Sequence, residues 1–186
     1  PALAGGAKIA TVDKVAFPAD SLTTLGTGLS AATYLMGGAA NSAVAGYFAG
    51  GEVSVRVDTV DKFAFPGDGR STLGTGLSSA RDALAGAANS GTAAYFAGGA
   101  WGLVSTVDKF AFSDDGRTTL GTGLSSSRYA LAGAANSGTA AYFAGGSSYV
   151  TTVDKFAFSD DGRTTLGTGL STGVEYVAGA ADSGVL

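Results

Sequence analysis

The chain lacks cysteine and histidine altogether, and it has only three prolines among its 186 residues. Without cysteine there is no disulfide framework, and without both residues the usual ligands of zinc, copper and haem are missing. The commonest general base of enzymes is missing too, and no other grouping of acid, base and nucleophile stands out. We therefore predict a protein that is not an enzyme and that has no catalytic residues, no metal site and no cofactor.

Positive charge and long apolar runs are also scarce. Eleven lysines and arginines are outnumbered by fifteen aspartates and glutamates, which gives a net charge of −4, whereas binding to a nucleic-acid backbone requires a clustered basic surface. No apolar run approaches the ~18 residues of a membrane-spanning helix, and the start of the chain has no basic segment followed by an apolar one, the pattern of a signal peptide. The sequence predicts no nucleic-acid partner and no membrane span, and it leaves the location of the protein open.

The chain is rich in glycine, with 31 residues, and it contains an internal repeat. Four copies of Val-Asp-Lys, spaced 48, 47 and 46 residues apart, begin at Val12, Val60, Val107 and Val153. A repeat of this length indicates a propeller or a solenoid. Cut after each Gly-Gly pair, the single domain 1–186 divides into units of approximately 7–51, 52–99, 100–146, and 147–186 together with 1–6.

Each unit consists of short runs of strand-forming residues between turn signals. In the third unit, Val107–Phe112 is followed by the turn signal Ser113–Gly116, and a second turn signal lies at Asn136–Gly138. Asp and Asn side chains cap such turns, and glycine accepts positive φ. Four short strands per ~47 residues are typical of a propeller blade. The Tyr129–Ala135 run, mostly alanine and glycine, is predicted to include the innermost strand, where the blades converge.

The two ends of the chain complete each other within the repeat. Asp182–Leu186 followed by Pro1–Gly6 matches Asn136–Gly146 position by position. We therefore predict an all-β propeller of four blades whose ring closes when Tyr176–Leu186 pairs with Ala2–Gly6. An open stack would expose two apolar blade faces. Closure within one chain gives a monomeric ring, and closure between two chains gives an eight-blade homodimer.

These units resemble the kelch repeat, in which an apolar strand leads into a double glycine and an arginine precedes the next unit. The double-glycine strand is matched by Tyr95–Gly99 and Tyr142–Gly146, and the arginine by Arg81 and Arg128. Phe110 and its equivalents lie near the tyrosine of the family pattern. The resemblance covers the whole chain as four units.

The chain departs from the kelch pattern at defined positions. Leu120 and its equivalents stand where the family has tryptophan, and Thr33 and Val174 replace the arginine in two units. The resemblance implies a propeller that serves as a binding module. The near-identical copies, rich in Gly, Ala and Ser, also resemble kelch-like repeats of phage and bacterial surface or tail proteins.

One carboxylate recurs in every copy of Val-Asp-Lys. A ring of such carboxylates around the axis would suggest cation binding, but a residue that every blade requires usually serves the blade itself. We therefore predict that these side chains join neighbouring blades through hydrogen bonds or ion pairs. They are Asp13, Asp61, Asp108 and Asp154.

All variation in repeat length falls between Gly-Gly and Val-Asp-Lys. These variable segments hold five, eight, seven and six residues, and they span 7–11, 52–59, 100–106 and 147–152. In repeat arrays, insertions collect in loops on one face, which is often the binding face. We therefore expect any ligand to be contacted there.

The variable segments supply four candidate ligand-binding residues: Glu52, Arg56, Trp101 and Tyr149. A loop aromatic can stack on a sugar or fill a pocket of a partner, whereas the alternative places Trp101 against its own blade. We predict a non-enzymatic recognition module for a protein or a surface glycan. The alternative is a purely structural repeat, such as a component of a phage or surface assembly.

Overall fold

The computed structural model of the protein describes residues 8–16 and 19–179, and within these ranges every regular element is a β-strand. The first sheet has two strands, β1 (Asp13–Ala16) and β2 (Ser21–Thr24). The second sheet contains β3 (Gly37–Asn41), β4 (Ala45–Ala49), β5 (Val60–Ala64) and β6 (Gly69–Thr72). The third contains β7 (Ala85–Asn89), β8 (Ala93–Ala97), β9 (Val107–Ala111) and β10 (Arg117–Thr119). The fourth contains β11 (Ala132–Asn136), β12 (Ala140–Ala144), β13 (Val153–Ala157) and β14 (Arg163–Thr165).

The prediction of an all-β protein is confirmed, and every paired strand is antiparallel. In each four-stranded sheet an Ala/Gly strand is followed by a Tyr-Phe strand, a Val-Asp-Lys-Phe strand and a short outer strand. The variable segments join the second strand of a sheet to the third, so they emerge at equivalent places. The described residues include no helix long and apolar enough to cross a membrane.

The Ala/Gly strands form the inner edge of the assembly, as their composition predicts. Strand β7 packs against both β3 and β11. A Cβ atom added to Gly86 would overlap the carbonyl oxygen of Gly38, and one on Gly133 would overlap that of Gly86. The series continues, because Gly179 stands in the same relation to Gly133. Glycine is therefore required where neighbouring inner strands make backbone contact.

Two apolar cores lie between consecutive four-stranded sheets. Between the second and third sheets, Tyr47 stacks on Phe112 with ring centroids 5.1 Å apart, and Phe96 meets Phe110 edge to face at 5.9 Å. Tyr95, next to Phe96 on β8, belongs instead to the core between the third and fourth sheets. Because successive strand residues point to opposite faces, β8 is buried on both sides. Packing between sheets of this kind is what blades require.

A buried carboxylate ties each connection between sheets to the next sheet. Asp108, fully buried on β9, accepts hydrogen bonds from the backbone N–H and the hydroxyl of Ser78, both at 2.8 Å. It also accepts one from Thr119 at 2.6 Å and pairs with the buried Arg81 at 2.9 Å. Ser78 and Arg81 lie in the connection from β6 to β7. The prediction that this aspartate joins neighbouring units through hydrogen bonds or an ion pair is therefore confirmed at this interface.

The other units repeat this arrangement with one difference. Asp154 binds Ser125 and the buried Arg128 in the same way. Asp61 binds Ser30, but Thr33 stands in place of the buried arginine in that unit. The partly exposed Arg70 lies 3.6 Å from Asp61, as Arg163 lies 3.5 Å from Asp154. All three interfaces thus share the serine–aspartate hydrogen bonds, and two of them add a buried arginine.

A second polar contact joins the outer turns to the preceding sheet. In the Ser-Asp-Asp-Gly turn, Asp114 accepts a hydrogen bond from Gly116 within the turn. Asp115 accepts one from the Tyr47 hydroxyl at 2.8 Å and one from the Lys62 ammonium at 2.7 Å. The turn is therefore not only a solvated loop, because its second aspartate binds the neighbouring sheet.

The described residues do not form a closed ring. An added Cβ on Gly38 would have no atom within 4 Å, in contrast to its equivalents. Asp13, the equivalent of Asp108, is exposed, and within the described residues its one hydrogen-bond donor is Thr24 of its own sheet. The predicted pairing of Tyr176–Leu186 with Ala2–Gly6 involves residues outside the described ranges and stays a prediction.

Candidate functional site

The variable segments lie at one end of the sheets, held there by glycines of the repeat. Gly50 and Gly51 open the second segment with φ of 67° and 97°, and the N–H of Gly51 donates to the carbonyl of Arg81. Gly76 lies against the carbonyl of Asp58 in the same segment, where a Cβ would not fit. Each variable segment is therefore positioned by backbone contacts with the stretches of the repeat whose length is constant.

The residues that lead into the inner strands meet the variable segments at this end. Backbone hydrogen bonds of 2.7–2.8 Å join each unit to the next. The N–H of Ala83 donates to the carbonyl of Leu35, that of Ala130 to the carbonyl of Ala83, and that of Tyr176 to the carbonyl of Ala130. The residue before each of these positions is Tyr34, Asp82, Tyr129 or Glu175. Tyr34 pairs with Glu52, and Asp82 pairs with Ala100, through isolated β-bridges. Neighbouring units thus contribute jointly to one surface.

A cleft of about 450 Å³ opens on this surface. Its polar lining residues are Arg56 and Asp82, and its aromatic lining residues are Tyr34, Trp101, Tyr129 and Tyr176. Three of these aromatic residues are exposed, with Tyr34 at 39%, Trp101 at 70% and Tyr176 at 65%, whereas Tyr129 is half-buried. Such a grouping of exposed rings is a distinctive feature of the surface, because isolated apolar residues on a surface are ordinary and clusters are not.

Arg56 connects the charged and aromatic parts of the cleft. One guanidinium nitrogen lies 3.4 Å from Glu52, and Nε lies 3.4 Å from the Asp82 carboxylate. The guanidinium also lies over the Trp101 ring, 4.6 Å from its centroid, which is a cation–π contact. Three of the four candidate residues, Glu52, Arg56 and Trp101, are therefore in one cluster.

Lys8, from the first variable segment, extends this cluster. Its ammonium lies 3.3 Å from Glu52 and 4.7 Å from the centroid of the Tyr34 ring. Hydrogen bonding from Tyr34 lowers the pKa of Glu52, desolvation opposes it, and Lys8 and Arg56 lower the pKa further. Glu52 therefore stays ionised and acts as an acceptor and counterion.

Asp82 is the least exposed charged residue of the cleft. Its relative exposure is 3%, and one carboxylate oxygen, Oδ1, has no hydrogen-bond partner within the described residues. The Arg56 Nε that approaches the other oxygen is likewise without a hydrogen bond there. A buried polar group in this state costs about 1–3 kcal/mol, and more when it is charged. The cleft therefore contains an acceptor whose hydrogen bonding is incomplete.

Tyr149, the fourth candidate, lies apart from the cleft lining. It is 68% exposed, and the neighbouring Glu175 raises the pKa of its hydroxyl by hydrogen bonding and charge. Tyr149 and Trp101 both have φ in the left-handed region, at 52° and 75°. Non-glycine residues rarely adopt this conformation, which costs about 1–2 kcal/mol. Both residues thus occupy costly backbone positions in the variable segments.

Four of the polar and aromatic residues that line the cleft were not among those predicted from the sequence: Tyr34, Asp82, Tyr129 and Tyr176. They lie in stretches of constant length, whereas the prediction followed variation in length. Variation in identity would have found them, because the four copies have Tyr34, Asp82, Tyr129 and Glu175 at one position and Leu35, Ala83, Ala130 and Tyr176 at the next.

Within residues 8–16 and 19–179, no group of three or more candidate ligands is placed so as to hold a metal ion. The resemblance to the kelch repeat rests on the residues given above and stays a prediction. Comparison with known protein families gives no matching family, and no curated protein matches the chain.

Proposed function

We propose that the protein is a non-enzymatic recognition module that binds a glycan in the aromatic cleft. The observation that carries this proposal is the convergence of four aromatic rings, three of them exposed, on one cleft beside Arg56 and Asp82. Aromatic faces pack against the apolar faces of sugars, while a few polar groups fix orientation in a binding pocket. A purely structural repeat would leave this convergence, which differs from unit to unit, without a role.

The dimensions of the cleft favour a glycan over a protein partner. Its volume of about 450 Å³ lies within the ~300–1,000 Å³ that small-ligand pockets occupy. A stable protein interface would instead require ~800 Å² on each partner. The site is a cleft, and Arg56 lies 3.4 Å from the carboxylates of both Glu52 and Asp82.

The chemistry of the cleft supports binding rather than catalysis. A general acid near neutral pH requires a raised carboxyl pKa, whereas the pKa of Glu52 is lowered. Arg56 lies between Glu52 and Asp82 at 3.4 Å from each, so it serves as their counterion.

A glycan array with the wild-type protein and Trp101→Ala tests this proposal. We expect the substitution to weaken binding by about 1–3 kcal/mol if the ring is a central anchor. The melting temperature should stay within a few degrees, because exposed substitutions usually cost under about 0.5 kcal/mol. Val55→Ala is the matched control, since Val55 is 64% exposed in the neighbouring variable segment and does not line the cleft. Absence of any glycan ligand, or equal binding by Trp101→Ala, would contradict the proposal.

We also propose that the four units close into a kelch-like propeller. Among the described residues, three contacts found at the other interfaces are not made at the open ends. By the pattern of the other interfaces, Ser171 would donate to Asp13 and Lys155 would pair with Asp20. The carbonyl of Gly179 would lie against Gly38. Ser30–Asp61, Lys62–Asp115 and Gly38–Gly86 show the pattern where it is complete.

The pair Gly38→Ala and Gly86→Ala tests closure. Gly86→Ala should destabilise the protein by about 1–3 kcal/mol in either case, because its Cβ would overlap Gly38 and overpacking costs this much. In a closed ring, Gly38→Ala should cost about the same, since Gly179 would lie against it. If Gly38→Ala melts like the wild type, the ring is open.

A further inference from the structure

Asp82 combines deep burial with an incomplete set of partners. The side chain is 4% exposed, and Oδ1 accepts no hydrogen bond from the described residues. Its backbone carbonyl is already bound by the N–H of Ala100 at 2.8 Å, so the position of the residue is fixed while its carboxylate is not satisfied. A donor from a ligand would complete the hydrogen bonding of this group.

The charges at the cleft leave an excess of one negative charge once Glu175 is counted, which precedes the lining residue Tyr176 in the chain and acts on its pKa. Lys8 and Arg56 are the cations, and Glu52, Asp82 and Glu175 are the anions. Arg56 is shared between two carboxylates at 3.4 Å, which is long for a charge-assisted hydrogen bond. The cleft therefore neutralises its carboxylates incompletely.

The aromatic lining adds to the same preference. The faces of tyrosine and tryptophan rings carry negative electrostatic potential and attract cations within about 6 Å. Two such contacts are already present within the protein, Lys8 over Tyr34 and Arg56 over Trp101. Tyr129 and Tyr176, at a centroid distance of 6.5 Å from each other, also line the cleft and are not engaged by a cation among the described residues.

We propose that the glycan carries a free, protonated amine, as in an unacetylated amino sugar, and that Asp82 accepts its hydrogen bonds. This inference rests on the proposed function and names the chemical class of the ligand. An ammonium group supplies three donors and a positive charge, which match the unsatisfied carboxylate and the excess negative charge. A carboxylated sugar would bring a like charge to Asp82 and Glu175, and an acetylated amine would bring a neutral amide with one donor.

Two oligosaccharides that differ only in acetylation test the inference. We would titrate the wild type, Asp82→Asn and Asp58→Asn with a β-1,4-linked glucosamine tetramer and with the N-acetylglucosamine tetramer, below the pKa of the amine. The wild type should bind the amine form at least about tenfold more tightly, given the strength of hydrogen bonds to charged groups. Asp82→Asn should remove most of this preference. Asp58→Asn, an exposed residue outside the cleft lining, should retain it.

The outcomes separate this inference from the proposed function. Equal binding of both tetramers, or an unchanged preference in Asp82→Asn, would overturn the inference and leave glycan recognition standing. Binding on the array that is confined to acetylated or acidic glycans would do the same, whereas an empty array would overturn both. If Asp82→Asn fails to fold, salt dependence of the wild type decides: affinity for the amine form should fall with added salt, and affinity independent of salt would overturn the inference.

Discussion

At the scale of single residues, two arginines that pair with the same carboxylate show how burial changes the contribution of an ion pair to stability. Arg128 and Arg163 both contact Asp154, at 2.8 Å and 3.5 Å. The side chain of Arg128 is 1% exposed and that of Arg163 is 27% exposed. Removing one partner of a buried pair leaves an uncompensated charge, whereas an exposed pair gains little because water screens it.

Arg128→Met should therefore lower the free energy of unfolding by about 3–5 kcal/mol. Arg163→Met, which approaches the same carboxylate from the solvent side, should cost less than about 1 kcal/mol. Urea denaturation of the two variants measures the difference. Similar losses in both would show that Asp154 does not depend on its buried partner.

The buried aspartates also determine how stability depends on pH. Desolvation would raise the pKa of Asp61, Asp108 and Asp154, but hydrogen bonds from Ser and Thr together with the arginines outweigh it, so each pKa is lowered below 3.8. A lowered pKa in the folded state contributes stability above the unfolded-state value, and that stability is lost as pH falls through the folded value.

We therefore expect the melting temperature to be nearly constant from neutral pH down to about pH 5 and to fall below about pH 4, near the ordinary carboxyl pKa. Thermal unfolding followed by circular dichroism across this range tests the expectation. Asp108→Asn should flatten part of the acid response, because it removes one of the three groups. A melting temperature that rises below pH 4 would contradict the assignment.

At the scale of elements, the Gly-Thr-Gly motif links the fold to the binding surface. A Cβ on Gly74, its first glycine, would meet no atom within 4 Å, whereas one on Gly76, its second, would meet the backbone of Asp58. Asp58 also accepts a hydrogen bond from the N–H of Leu77 at 2.7 Å. Since Asp58 and Arg56 belong to one variable segment, Gly76 supports the cleft from outside it.

Gly76→Ala should cost about 1–3 kcal/mol through overpacking and should weaken ligand binding, because the segment that carries Arg56 must shift. Gly74→Ala is the matched control, and it should stay within about 0.5 kcal/mol of the wild type. Denaturation and glycan titration on both variants provide the two measurements. Wild-type binding by Gly76→Ala would show that the segment holds its place without this contact.

The elements also show which features the sequence predicts and which it does not. The strands follow from local signals, since turn residues bound each run and Ala/Gly composition marks the inner strand. The role of Asp108 follows from its recurrence. The place of Asp82 beside Ala100 does not, because that contact joins separate units and exists only once the sheets are stacked. Variation in segment length led to Arg56 and Trp101 but not to Tyr34, whose segment has constant length.

At the scale of the whole molecule, both interfaces between four-stranded sheets use the same contacts: a glycine pair, a serine–aspartate bond and a lysine–aspartate pair. The first and second sheets share the serine–aspartate bond and the lysine–aspartate pair. An array built from one repeated interface either closes or presents unused copies of it at both ends. The exposed Asp13 and the open space beside Gly38 are the unused half at one end. By the pattern of the other interfaces, Ser171 at the other end corresponds to the donor for Asp13, and the carbonyl of Gly179 to the contact of Gly38.

Dilution distinguishes closure within one chain from closure between two. A ring made by one chain should have a melting temperature that does not change with protein concentration, because unfolding is then unimolecular. An eight-blade ring of two chains should melt at a temperature that rises with concentration, because association stabilises the folded state by mass action. We expect the single-chain result, since the narrow Ala/Gly inner strands suit a small ring with little room at its axis. Thermal unfolding over a hundredfold range of concentration, with sedimentation to give the mass, tests this expectation, and a dimer mass with a concentration-dependent transition would assign closure to two chains.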